Sequence, residues 1–195
     1  MLAEGLEVVV TREPGGTETG EKIRKVLLDT GTANLSPFAE LALMFASRSQ
    51  HIQEVIQPSV AAGSVVLCDR FTDSTEAYQG GGRKLGSKAV IELHRLLCGD
   101  IQPDLTVLMD SDIAHSVERA RRRNRLGTER GEGNENRFEQ ESRAFFGRVR
   151  TAYLEIAARE PNRVVVVNAR GPADDTHSQI LLLVKKRLKL AARTA

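Results

Sequence analysis

Charged and polar side chains close the apolar runs of this chain, a placement that suits a polyanionic ligand. Thr11-Arg12-Glu13 follows "VVV", Asp69-Arg70 follows "SVVLC", Asp110 follows "TVLM", and Asn168 with Arg170 follows "VVVV". A carboxylate such as Asp69 at a strand tip can hold Mg²⁺ through water or fix a neighbouring arginine. The planar fork of Arg70 suits phosphate oxygens. The plainer reading of that pair is an ion pair at a sheet edge. Arg48 fills a gap in the stripe Leu41, Phe45, Ile52, Val55/Ile56. A cation on a buried face needs a partner, either an internal carboxylate or a ligand in a cleft. Phe45, one turn earlier, serves the core or stacks on a flat ring. Gln79 is available to hydrogen-bond a base edge. "ERARRRNRLGTER" (118–130) gathers Arg119, Arg121, Arg122, Arg123, Arg125 and Arg130. It reads as a solvated helix end, as a nucleic-acid patch without stacking aromatics, or as a flap that brings arginines over polyphosphate.

The elements that would position these residues follow from periodicity. Val8–Thr11, Val65–Cys68, Leu105–Met109 and Val164–Val167 are unbroken apolar runs, as expected for strands covered on both faces of a parallel sheet. Helical patterns occupy Gly20–Asp29, Ser36-Pro37 onward to residue 57, Ser87–Leu97, Ile113–Arg123, Asn136–Arg159 and Asp174–Ala192. Gly80–Gly82 reads as a flexible turn after a short helix. Strands alternating with helices predict a doubly wound α/β domain over residues 1–195, with ligands at the carboxyl ends of the strands. "VVVTREPGGTETG" (8–20) has the strand–turn–helix layout of a phosphate loop, but the chain contains no Gly-Lys-Ser/Thr. Gly81 to Gly86 has GxxxxG spacing, but no strand precedes it and Ser87-Lys88 stands in reversed order, so it is set aside.

The net charge of +2 is too small to argue for nucleic acid, and no run approaches the roughly 20 apolar residues of a membrane span. Cys68 and Cys98 show no ligand spacing and read as free thiols in a reducing compartment. A cytoplasmic, globular protein is the expectation.

"TREPGGT" (11–17), "LMFASRSQH" (43–51), "DRFTDSTEAYQGGGR" (69–83), "PDLTVLMD" (103–110) and "NRFEQES" (136–142) together resemble bacterial thymidylate kinase, in family order and over nearly the whole chain. The resemblance implies a P-loop-NTPase-like, nucleoside monophosphate kinase fold with helices on both faces of an open parallel sheet. It implies phosphoryl transfer from ATP to dTMP with Mg²⁺, in a homodimer, with neither nucleic acid nor membrane as partner. By resemblance, Arg48 hydrogen-bonds thymine, Phe45 stacks on it, and Thr75 and Gln79 line the base pocket. Met44 holds the place where the family's aromatic often stands. Arg70 and Arg24 hold the acceptor phosphate, with Arg12 and Glu13 bracing Arg70 or that phosphate, and Asp69 neighbours Mg²⁺–ATP. Residues 119–136 resemble the lid, with Arg123, then Arg119, reaching the transferred group.

In the family a first strand, a Gly-Lys-Ser/Thr loop and a helix precede TREPGG. Here "MLAEGLE" reads as the last turn of that helix. The expectation is therefore a shortened chain, as from a start codon set too late, that lacks the first, central strand and the P-loop. Two rivals stay open: a dTMP-binding remnant without activity, and a kinase for another nucleoside monophosphate.

Overall fold

The computed structural model describes residues 5–32, 34–111 and 137–188. Among the described residues four strands form, β1 (Val8–Arg12), β2 (Val65–Asp69), β3 (Thr106–Asp110) and β4 (Val164–Asn168). Each takes in the polar residue that follows its apolar run. β1 pairs β2 and β3 pairs β4, both parallel, with Val9 opposite Val66 and Leu108 opposite Val166. The sheet is thus divided: among the described residues no strand joins β1–β2 to β3–β4.

Helix α1 (Glu18–Leu28) starts where the Thr17 side chain accepts from Gly20 N. Ser36 caps α2 (Pro37–His51) with proline in the first turn, as the Ser-Pro pair predicts. The rod continues through a π-helical stretch (Ile52–Ile56) into a last α turn (Gln57–Ala61). After β2, α3 (Thr72–Thr75) runs directly into a π-helix at Glu76–Gly82. Then come α4 (Ser87–Cys98), a 3₁₀ turn at Arg137–Gln140, α5 (Arg143–Arg159) and α6 (Ala173–Arg187). The helix expected at Ile113–Arg123 lies outside the described residues. No described helix is long and apolar enough to cross a membrane.

The flexible turn expected at Gly80–Gly82 is a helix instead. A Cβ on Gly81 would stand 2.7 Å from Ala152 Cβ, and one on Gly82 would stand 2.6 Å from Phe145 Cε2. The glycines let this segment pack tightly on α5, and that packing overrides their weak helix propensity. Leu41, Phe45, Ile52 and Ile56 of the α2 rod form one core cluster with Val90 and Cys98 of α4. Ala77 forms a second with Phe145, Val149 and Ala152 of α5, and Ile156, Ala157 and Val164 form a third. Both cysteines are free. Burial pushes the Cys68 thiol up to about 12, with the Glu13 charge adding to it.

Polar contacts tie the two ladders together. Thr106, at the start of β3, donates to Asp73 at 2.8 Å, and Arg163 forks onto the same carboxylate at 2.7 and 2.8 Å. Arg159 forks onto Glu76 at 2.8 and 2.9 Å, and Tyr153 Oη donates to Ser74 at 2.7 Å. Asp73 to Glu76 belong to the segment that follows β2, so β3–β4 and α5 are anchored just beyond the end of the first ladder.

Candidate active site

The turn after β1 is closed to anions by side chains of α1 and α2. Gly15 N donates to Ser47 Oγ at 3.1 Å, and Gly16 N donates to Glu21 Oε1 at 3.0 Å. A phosphate cradle needs such N–H groups unspent. Here a carboxylate takes the place an anion would occupy, so the resemblance of this turn to a phosphate loop is one of layout only.

Glu13, one residue past β1, is buried at the centre of a polar cluster. Arg48 Nε donates to Glu13 Oε2 at 2.6 Å, and Arg48 Nη2 donates to Thr75 Oγ1 at 2.8 Å. His51 Nδ1 lies 2.9 Å from Glu13 Oε1, and its Nε2 lies 2.7 Å from Thr11 Oγ1. The Arg48 guanidinium is also sandwiched, 4.9 Å from the Phe45 ring centroid and 5.2 Å from that of Phe71. Of the two readings of Arg48, the internal carboxylate is the one the fold displays. An internal carboxylate neutralises it, yet Nη1 is buried without a hydrogen-bond partner.

Phe45, expected to stack on a flat ring, is wholly buried among Leu41, Ile52 and Val90 and lies against Arg48. Its ring forms the floor under the Arg48 guanidinium. Glu13 and Arg12, expected to brace Arg70 or the acceptor phosphate, are engaged elsewhere. Glu13 holds Arg48 and His51, and Arg12 pairs with Glu21 at 3.1 Å.

A second buried carboxylate, Glu40, joins three segments. Its Oε1 accepts from Gln79 Nε2 at 2.8 Å and from Arg83 Nε at 3.0 Å. Its Oε2 accepts from Arg83 Nη2 at 3.0 Å and pairs with Arg137 Nη1 at 2.7 Å. Burial pushes the Glu40 carboxyl up. The hydrogen bonds from Arg83 and Gln79, with the charges of Arg83 and Arg137, outweigh that and hold it below its ordinary value. Gln79 is wholly buried, and its Oε1 has no partner. Thr75 and Gln79 lie four residues apart, so α2 and the α3–π segment face each other through two rungs: Arg48–Thr75 and Glu40–Gln79. A donor with no partner belongs to one rung and an acceptor with no partner to the other.

Arg70 leaves β2 with φ of 70°, and its guanidinium stands 5.0 Å from the Tyr78 ring centroid. Arg24 donates to Pro14 O at 3.0 Å. Asp69 is exposed at the strand end beside Arg70. The other two strand endings pair with each other: Arg150 forks onto Asp110 at 2.7 and 2.8 Å, and Arg170 lies 3.8 Å from the same carboxylate. Polar residues close all four strands, but only the β1 and β2 endings adjoin the Arg48 cluster. Arg119, Arg123 and the rest of the lid-like segment up to Asn136 lie outside the described residues.

Glu13, His51 and Cys68 place one O, one N and one S donor within 4.8 Å of one another. Each already has a protein partner, Cys68 Sγ donating to Arg70 O at 3.1 Å, and the adjoining Arg48 cation opposes a metal ion. The group reads as a hydrogen-bonded network. Sequence reasoning missed His51, Glu40, Arg83 and Arg137. The available signal was spacing: Glu40, Arg48 and His51 fall 8 and 3 residues apart on the buried side of one helix.

Parallel strands under helices, with arginines and two buried unmatched polar groups on the facing α2 and α3–π segments, define a nucleotide-binding α/β protein of the nucleoside monophosphate kinase fold. The thymidylate kinase family model matches residues 1–180. Thymidylate kinase of Pseudomonas fluorescens (strain SBW25) is 47% identical over 191 residues, covering 98% of this chain and 87% of the relative. That of Pelobacter propionicus is 46% identical over 180 residues, covering 92% and 81%. The crystal structure of thymidylate kinase from Ehrlichia chaffeensis superposes with a TM-score of 0.70 at 30% identity, covering 92% of this chain and 80% of that one. The chain belongs to the thymidylate kinase family.

Proposed function

We infer that the protein's reaction is phosphoryl transfer from ATP to dTMP, and that the described residues form its acceptor half. The observation that carries this reading is the pair of buried groups without partners, the Arg48 Nη1 donor and the Gln79 Oε1 acceptor. Thymine presents the complement, a 4-carbonyl that accepts and an N3–H that donates. Leaving such groups unmatched costs free energy, and a ligand that matches both recovers it. Thr75 and Glu13 hold the arginine fork in place, and Phe45 and Phe71 fix the orientation of its plane. At the strand end, Arg70 and Arg24 orient the acceptor phosphate so that one of its oxygens attacks the γ-phosphorus in line as the bond to ADP breaks. Phosphoryl transfer needs mainly such positioning and charge neutralisation.

For the donor the fit is incomplete. The sequence has no Gly-Lys-Ser/Thr, and the N–H groups of Gly15 and Gly16 are spent on side chains. The exposed Asp69 carboxylate would hold Mg²⁺ through water and so help neutralise the donor phosphates. Arg123 and Arg119 are proposed to act on the transferred group.

Calorimetric titration with dTMP, dCMP and a non-hydrolysable ATP analogue tests the reading. The expected result is that dTMP binds, that dCMP binds about a hundredfold or more weaker, and that Arg48→Met removes the preference. Equal binding of the two nucleotides, or none of dTMP, overturns it.

A further inference from the structure

We propose that Glu40 is a positioning residue that sets the pyrimidine preference of the site by dictating which way the Gln79 amide faces. The inference rests on the base pocket described under Proposed function. A carboxylate can only accept hydrogen bonds, and an amide has one donating and one accepting end. Gln79 Nε2 stands 2.8 Å from Glu40 Oε1. With the amide reversed, its oxygen would meet the carboxylate oxygen with no proton between them, in a wholly buried site. Arg83 and Arg137 keep Glu40 ionised, so it cannot become a donor. The nitrogen of Gln79 is therefore held on α2, and its oxygen is the end left without a partner.

That orientation decides the chemistry of the ligand. Oxygen from Gln79 on one rung and nitrogen from Arg48 on the other suit a base with a ring N–H next to a carbonyl, as in thymine and uracil. Cytosine offers a lone pair where Gln79 presents one, and an amino group where Arg48 presents N–H. Two mismatches oppose it. Glu40 thus acts at one remove from the ligand, through Gln79.

Glu40→Gln is the discriminating variant because it keeps the shape and supplies a donor. At Oε2 the carboxylate receives both Arg83 Nη2 and Arg137 Nη1, whereas at Oε1 a single arginine N–H, Arg83 Nε at 3.0 Å, accompanies Gln79, so an amide oxygen is favoured at Oε2. The new amide keeps its oxygen there and turns its nitrogen to Gln79, which must rotate and present its own nitrogen to the base. The measurement is the ratio of dCMP to dTMP dissociation constants by calorimetry. The proposal expects this ratio to fall about tenfold or more in E40Q, the worth of one buried hydrogen bond. In Q79L the ratio falls as well, and adding E40Q to Q79L changes it no further.

A folded E40Q that keeps the original ratio, or that weakens both nucleotides by the same factor, overturns the role of Glu40 while leaving the pocket in place. An unsubstituted protein that does not prefer dTMP removes the pocket and this inference together. Where E40Q does not fold, NMR of the unsubstituted protein decides. On adding dTMP, the Gln79 Cδ resonance moves while its Nε2 protons stay bonded to Glu40; movement of the Nε2 protons onto the base overturns the proposal.

Discussion

Arg70 is a non-glycine residue with φ of 70° at the end of β2. An L side chain in the left-handed region costs on the order of 1 kcal/mol, and such residues persist where the surroundings over-determine them. Here the return is position: the guanidinium rests on Tyr78 beyond the strand end. Arg70→Gly removes the local strain and the phosphate fork together. The expected outcome is that dTMP affinity falls at least about tenfold, the scale of a lost charge-assisted contact, while the thermal midpoint does not fall. Calorimetry and a melting curve on one sample check both halves. Arg70 could be read from the sequence because a charge beside an unbroken apolar run stands out, and Arg48 because it interrupts a helical stripe. Their partners could not be read in the same way. Glu13 is 35 residues from Arg48, and Glu40 is 39 residues from Gln79. Residue type alone does not say which carboxylate meets which cation. By spacing alone Phe45 fits either a stacking ring or a floor beneath the arginine, and in the fold it lies 4.9 Å from the guanidinium.

At the scale of elements, strands were the most legible, since four β-branched runs flanked by polar residues have little else to become. The segment Thr72–Gly82 was the least legible. Three consecutive glycines look like a turn, and only the face of α5 explains why they are helical. Gly81→Ala and Gly82→Ala put a Cβ within 2.7 Å and 2.6 Å of α5 side chains. Each is expected to lower stability by about 1–3 kcal/mol in denaturant unfolding. Gly147→Ala, in open space inside α5, is expected to be neutral or stabilising by up to roughly 1 kcal/mol. Equal losses at all three sites would mean that helix propensity, not packing, governs this face. Glu40 joins three segments in the same region, and its titration gives the sign of a pH effect. The folded carboxyl titrates below its ordinary value of 4.5. Its contribution to stability is therefore complete above that value and is lost as pH falls through the folded one. Melting curves from pH 7 to pH 3 are expected to drop below about pH 4.5, and E40Q, although less stable at neutral pH, is expected to show a shallower drop.

At the scale of the whole molecule, the divided sheet sets the chief physical question. Two parallel ladders of two strands each are joined by Asp73, Glu76 and Ser74, with no strand between them among the described residues. Val10 and Leu67, opposite each other in the first ladder, are 74% and 51% exposed, and Met109 and Val166 in the second are 59% and 43% exposed. Parallel strands are ordinarily covered on both faces, and unpaired strand edges invite association. Val10 and Leu67 are register partners on one face of the first ladder, whereas Met109 and Val166 are one register step apart and point to opposite faces of the second, so among the described residues exposure touches all four strands and both faces of the second ladder. One parallel strand between β2 and β3 would pair the inner edges of both ladders, and a helix after it would cover the exposed side chains on one face of the completed sheet. A Gly-rich turn between them ending in Lys-Ser/Thr would stand beside Arg70 and supply the N–H cradle that the 15–16 turn cannot. We predict that fusing such a strand–loop–helix ahead of residue 1 raises the melting midpoint by well over 10 °C, since several apolar side chains at about 2 kcal/mol each leave water. The same fusion is expected to confer binding of an ATP analogue, whereas a fusion with Lys changed to Ala in the loop keeps the stability and loses that binding. A fusion that leaves the midpoint unchanged would mean that the two ladders are complete as they stand, with some other surface covering Val10, Leu67, Met109 and Val166.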